Sequence, residues 1–116
     1  MKKFFFTLSF FLLLFATQAQ VSEGSEEASF RISQNYPNPA RDVTHIKLQL
    51  NTGGYVSLKL YDMLGNGVSV ITEQYLTAGT YSLPVETHSL PDGVYFYTVK
   101  KEGESETLKM IISKGR

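Results

Sequence analysis

The chain has 116 residues, no cysteine and no tryptophan, and its eleven basic and eleven acidic side chains balance. That length holds one ordinary domain, and the missing cysteine excludes a disulfide framework, thiolate metal sites, a cysteine nucleophile and a lipid-anchored N-terminal cysteine. Because Lys2 and Lys3 sit in an apolar head, the remainder is mildly acidic, which gives no electrostatic reason to expect DNA or RNA as a partner.

Met1-Lys2-Lys3 is a short positive start, followed by an apolar run from Phe4 to Phe15 broken only by Thr7 and Ser9. Ala16-Thr17-Gln18-Ala19 then places small side chains at the −3 and −1 positions of a cut after Ala19. This is the layout of a secretory signal peptide over residues 1–19. The run falls short of the roughly 20 apolar residues needed to cross a bilayer, so no transmembrane span is expected in the mature chain. Residues 20–29 are small, polar and acidic without an apolar period, which predicts a flexible linker.

From Phe30 onward short alternating runs are separated by turn signals. Residues 30–33 form the first run, closed by Asn35-Tyr36-Pro37-Asn38-Pro39, where two prolines predict an extended loop or an edge. Ile46, Leu48 and Leu50 alternate with His45, Lys47 and Gln49, the pattern of a half-buried strand. Thr52-Gly53-Gly54 then reads as a hairpin turn into a partner strand with Val56, Leu58 and Leu60 inward.

Asp62-Met63-Leu64-Gly65-Asn66-Gly67 is the next turn, leading to a strand over 68–75 with Val68 and Val70 on one side and Ile71 on the other. Thr77-Ala78-Gly79-Thr80 breaks it, and Tyr81, Leu83 and Val85 make another inward set. After Leu90-Pro91-Asp92-Gly93 the segment 94–100 is apolar on both faces, which suits a central strand, with Val94 and Phe96 expected in the core. Glu102-Gly103-Glu104 turns into a last strand over 107–113, with Leu108, Met110 and Ile112 inward. About seven short strands with regularly spaced turns predict an all-β antiparallel sandwich.

No enzyme constellation stands out, and neither a cofactor nor a metal is expected. His45 and His88 read as solvated side chains without a third ligand at metal-binding spacing. Asp42, Asp62 and Asp92 all fall at turns, where aspartate ordinarily accepts from nearby backbone amides. Gly65-Asn66-Gly67 lacks the third glycine and the following helix of a phosphate-binding loop. No serine lies on a glycine-flanked elbow.

Five segments taken together resemble the type A C-terminal sorting domain of type IX secretion cargo in Bacteroidota. They are Gln34-Asn35-Tyr36-Pro37-Asn38-Pro39, Val56-Ser57-Leu58-Lys59-Leu60-Tyr61-Asp62-Met63-Leu64-Gly65, Ala78-Gly79-Thr80-Tyr81, Leu90-Pro91-Asp92-Gly93-Val94-Tyr95-Phe96-Tyr97 and Leu108-Lys109-Met110-Ile111-Ile112-Ser113-Lys114. The resemblance implies an immunoglobulin-like sandwich over 30–116, exported to the periplasm and then secreted or held at the cell surface. Its implied partners are the type IX translocon, an outer-membrane shuttle protein and a sortase-like peptidase.

By the same resemblance the sorting-motif residues are Asn35, Pro37, Asn38, Pro39, Tyr61, Asp62, Gly65, Gly79, Gly93, Tyr95, Lys109 and Lys114. Gly65 and Gly93 are expected to relieve turns that a Cβ would strain, and Lys109 and Lys114 to be exposed. Family members usually place this domain behind a large cargo, whereas here residues 20–29 alone separate it from the signal peptide, so little or no separate cargo is expected. The alternative reading is a small secreted or cell-surface immunoglobulin-like binding module that stays intact and uses Tyr55, Tyr61, Tyr95 and Tyr97 as its contact patch.

Overall fold

The computed structural model describes residues 28–115. The expected signal peptide and most of the expected linker lie outside the described residues. The strands are β1 (Phe30–Ile32), β2 (Val43–Leu50), β3 (Gly54–Tyr61), β4 (Gly67–Leu76), β5 (Gly79–Glu86), β6 (Gly93–Lys101) and β7 (Glu104–Ile112). They form two antiparallel sheets, ordered β1-β2-β5 and β4-β3-β6-β7. With β1, β2 and β5 in the places of strands A, B and E, and β4, β3, β6 and β7 in those of C′, C, F and G, this is an immunoglobulin-like order.

Alternation puts one apolar face of each strand between the sheets. β2 contributes Ile46, Leu48 and Leu50, β3 contributes Val56, Leu58 and Leu60, and β7 contributes Met110 and Ile112. Their close packing supplies the main stabilisation of a domain without disulfides.

Two expectations fail. β2 and β3 do not form a hairpin: residues 51–53 carry the chain from one sheet to the other, and β2 pairs with β1 and β5 while β3 pairs with β4 and β6. Two strands facing a common core from opposite sheets show the same alternation as two hairpin strands, so the pattern alone does not separate them. The parity of β6 is also reversed. Tyr95, Tyr97 and Val99 are buried in the core, whereas Val94 and Phe96 lie half-buried on the outer face.

β4 is an outer strand with two register shifts against β3. Leu58 pairs with Thr72 and Lys59 with Val70, leaving Ile71 as the extra residue, and Leu60 pairs with Ser69 and Tyr61 with Gly67, leaving Val68. These bulges bend the edge and interrupt its hydrogen-bonding register. β7 is the opposite edge of the same sheet. It is partly covered, because Ala40 bridges to Ile112 and exchanges backbone bonds with Ile111 O and Ser113 N at 2.8 and 2.9 Å.

Candidate functional site

The strand directions gather the motif residues at one pole of the sandwich. β3 ends there and β4 begins there, since Tyr61 pairs with Gly67; β6 begins and β7 ends there, since Gly93 pairs with Ile112. β2 begins and β5 ends at the same pole, where Val43 pairs with Glu86 and the preceding Ala40 meets Ile112. All the sequence-predicted site residues except Gly79 therefore lie at or next to this end, Lys109 in the same row of the sheet as Tyr61 because both pair with Phe96. Gly79 opens β5 opposite Leu50 at the other pole, and Lys109 stands exposed on the outer face of β7 beside Phe96.

The first component is the loop between β1 and β2. Asn35 is buried, and its backbone N–H donates to the Tyr97 hydroxyl at 2.9 Å, while that hydroxyl donates to Ser33 O at 2.9 Å. The Asn35 side-chain amide donates to Pro37 O at 3.1 Å and to Thr44 Oγ1 at 3.0 Å, and the Thr44 hydroxyl donates to Pro37 O at 2.7 Å. Each buried polar atom of this cluster thus has a partner, which removes the desolvation penalty it would otherwise carry. The Tyr36-Pro37 and Asn38-Pro39 peptide bonds are both cis. Asn38 Oδ1 accepts from Ile111 N at 3.1 Å, and the Gln34 side-chain amide donates to Lys109 O at 2.6 Å. The loop consequently ties the first sheet to the outer edge of β7.

The second component is the turn between β3 and β4. Asp62 Oδ1 accepts from the backbone N–H of Leu64 at 3.0 Å and of Asn66 at 2.8 Å, and Gly65 N donates to Asp62 O at 3.0 Å. Gly65 has φ +89°, a conformation that an L side chain resists although nothing lies within 4 Å of its would-be Cβ. The Asn66 backbone N–H, followed by other donors of the turn, holds the exposed Asp62 carboxyl below its ordinary pKa.

The third component joins the segment before β6 to the end of the chain. Tyr95 donates its hydroxyl to Pro91 O at 2.6 Å, a tyrosine corner at the start of the F-position strand. Burial raises the Tyr95 pKa, and the nearby negative charges of Asp62 and then Asp92 add to the rise. Lys114 is not the free surface lysine expected. Its Nζ donates to His88 O at 3.1 Å and to Leu90 O, and its backbone N–H meets the Asp92 carboxylate at 3.2 Å. Gly93 has φ +157°, a backbone conformation that L side chains rarely adopt, in line with the need for glycine expected there.

The tyrosine patch of the alternative reading does not assemble. Tyr95 and Tyr97 are buried, Tyr61 is half-buried, and Tyr55 alone of the four is exposed. His45 and His88 are both exposed. Among the described residues no group of three His, Asp or Glu side chains could hold a metal ion, and no helix is long and apolar enough to cross a membrane. Sequence reasoning missed Ser33, Thr44 and Pro91 as the partners that fix the pole. Their signal was weak, because two of the three act through backbone carbonyls.

Comparison with known proteins bears on the fold and the family. The crystal structure of dimeric latent PorU from Porphyromonas gingivalis is similar to this chain with a TM-score of 0.51 at 16% sequence identity. The similarity covers 77% of this chain and 10% of that one, so it speaks for the fold alone. A family model described as the secretion system C-terminal sorting domain matches residues 34–113, a span that begins at the loop of Asn35 and ends beside Lys114. The chain belongs to the family of secretion system C-terminal sorting domains.

Proposed function

We propose that residues 30–116 act as an address and not as a catalyst: the domain is read by the type IX machinery after signal-peptide export to the periplasm, and it directs what it is attached to across the outer membrane. The observation that carries this reading is that four of the five resembling segments reach one pole, where backbone-anchored loops build a fixed surface, while residues 78–81 lie at the other. Recognition by a shuttle protein and removal by a sortase-like peptidase belong to the same proposal. Asn35, Pro37, Asn38, Pro39, Asp62, Gly65 and Lys114 shape the surface, Tyr61, Gly93, Tyr95 and Lys109 support it from β3, β6 and β7, and Gly79 acts from the other pole.

The test fuses residues 30–116 behind a periplasmic reporter that carries a signal peptide, in a host with a working type IX system. The reporter is expected at the cell surface or in the medium. Deleting residues 108–116 should abolish this, because Met110 and Ile112 leave the core and the edge of β6 opens. An intact fusion retained in the periplasm would refute the sorting reading.

A further inference from the structure

The chain enters the domain under restraint. Ala28 and Ser29 precede β1 and lie against residues 51–53, which carry the chain between the sheets. The Asn51 side-chain amide donates to Ala28 O at 2.5 Å, and the Asn51 backbone N–H donates to Ser29 O at 2.9 Å. The Ser29 hydroxyl donates to Glu104 Oε1 at 2.8 Å, on the first residue of β7. Both carbonyls ahead of Phe30 are thus taken, and the two residues are fastened to both sheets. Phe30 follows with its side chain in the core and its backbone in register with Leu50. The bond from Asn51 N merely continues the β1–β2 ladder by one step. Those of the Asn51 amide and the Glu104 carboxylate lie outside that ladder, on exposed side chains that the core does not use.

From this we propose that Asn51 and Glu104 clamp residues 28–29 and so set the limit of proteolytic removal: the peptidase cuts on the N-terminal side of Ala28, and the Ala28–Ser29 and Ser29–Phe30 bonds stay closed to it. The inference deepens the removal step of the sorting reading and rests on it. A peptidase takes its substrate as an extended strand whose backbone groups it hydrogen-bonds itself. At residues 28–29 those groups are engaged, so cutting there waits for local opening, and opening must first break the two side-chain bonds. The place of the clamp also suits a peptidase working beside a bound reader. Phe30 pairs with Leu50, and Leu50 pairs with Gly79 at the pole away from the motif loops. The eight residues of β2, about 25 Å of extended strand, lie between the two ends. A partner seated on the motif pole therefore leaves the entry pole uncovered.

The experiment digests the purified full chain with elastase, which cuts after small side chains such as Ala28 and Ser29, and follows the products by intact mass alongside the thermal midpoint. Asn51→Ala should speed cutting after Ala28 and Ser29 about threefold to tenfold, and Asn51→Ala/Glu104→Ala about tenfold or more. The midpoint should stay within about two degrees, with no rise in cuts inside residues 30–115. Asn51→Asp, which cannot donate to Ala28 O, should behave as Asn51→Ala, while Glu104→Gln, which keeps the acceptor, should match wild type. If the double variant proves unstable, Asn51→Ala alone decides. Equal rates in wild type and folded variants overturn the clamp, and so does an equal rise of cuts throughout the domain, which would mean general loosening. In a host with a working type IX system, the domain left after removal should retain Ala28. A remainder that begins at Ser29 or later overturns the limit while leaving the sorting reading intact. Export without any removal refutes the removal step and with it this role of the clamp. Retention of the unaltered chain in the periplasm refutes the sorting reading itself, and the elastase rates still decide whether residues 28–29 are held.

Discussion

The hydroxyl of Tyr97, carried on the central strand β6, accepts the backbone N–H of Asn35 at 2.9 Å across the interior of the sandwich. A residue of one sheet thereby fixes the loop that leaves the other. Tyr97→Phe keeps the ring and removes both hydrogen bonds, leaving the N–H of Asn35 and the carbonyl of Ser33 without this partner. The expected loss is about 1–3 kcal/mol, read as a lower urea midpoint with an unchanged slope.

The same tyrosine makes stability sensitive to alkali. Burial pushes its pKa up to about 12 from an ordinary value of 10.0, partly opposed by the N–H of Asn35. Between those values the unfolded chain has lost the proton and the folded chain keeps it, so stability falls as pH rises from about 10 towards 12. Unfolding midpoints measured across that window should decline in the wild type and decline less in Tyr97→Phe.

Lys114 and Lys109 should behave differently on truncation. Lys114→Ala removes the donations to His88 O and Leu90 O and should lower stability by about 1 kcal/mol. Lys109→Ala, at an exposed site, should stay within about 0.5 kcal/mol of wild type. Equal midpoints for the two variants would contradict the anchoring of the chain end to the segment before β6.

The β3–β4 turn provides an acid-side counterpart. The Asp62 pKa is lowered, chiefly by the backbone N–H of Asn66, so its contribution is present above the ordinary value of 3.8 and is lost as pH falls through the folded-state value. Asp62→Ala should therefore flatten the acid limb of the stability profile. Gly65→Ala should lower the midpoint at every pH by roughly 1–3 kcal/mol because φ there is +89°.

At the far pole Lys101 is buried, with Nζ donating to Thr52 Oγ1 and to Glu102 Oε1, both at 3.1 Å. Lys101→Met removes the charge and keeps the apolar stem, and is expected to be neutral or mildly stabilising. Glu102→Ala leaves the ammonium buried with Thr52 and should be the more damaging of the two, as compared by thermal melts.

Strand positions and turns were legible in the sequence because alternation and glycine-rich breaks act locally. Sheet membership was not. Ile46, Leu48 and Leu50 share their pattern with Val56, Leu58 and Leu60 whether the strands are neighbours or face each other. The parity of β6 was ambiguous because both faces are apolar; Val99 beside Tyr95 and Tyr97 was the available hint, and what fixes the choice is that the two phenols find Pro91 O and Ser33 O. The motif residues were named by resemblance, but their gathering at one end depends on strand direction. Lys114 looked solvated because its partners are carbonyls, which carry no side-chain signal.

The loop that covers the edge of β7 has a kinetic consequence. Gln34, Asn38 and Ala40 meet Lys109, Ile111 and Ser113 across more than half the length of the chain. Contacts so distant in sequence form late, after the intervening strands are in place. A chain that emerges N-terminus first presents Gln34 before Ser113, so the seam between them closes only after β2 to β7 have followed. Whatever precedes Phe30 has already emerged by the time the seam is shut, and a product lacking β7 never displays the closed form.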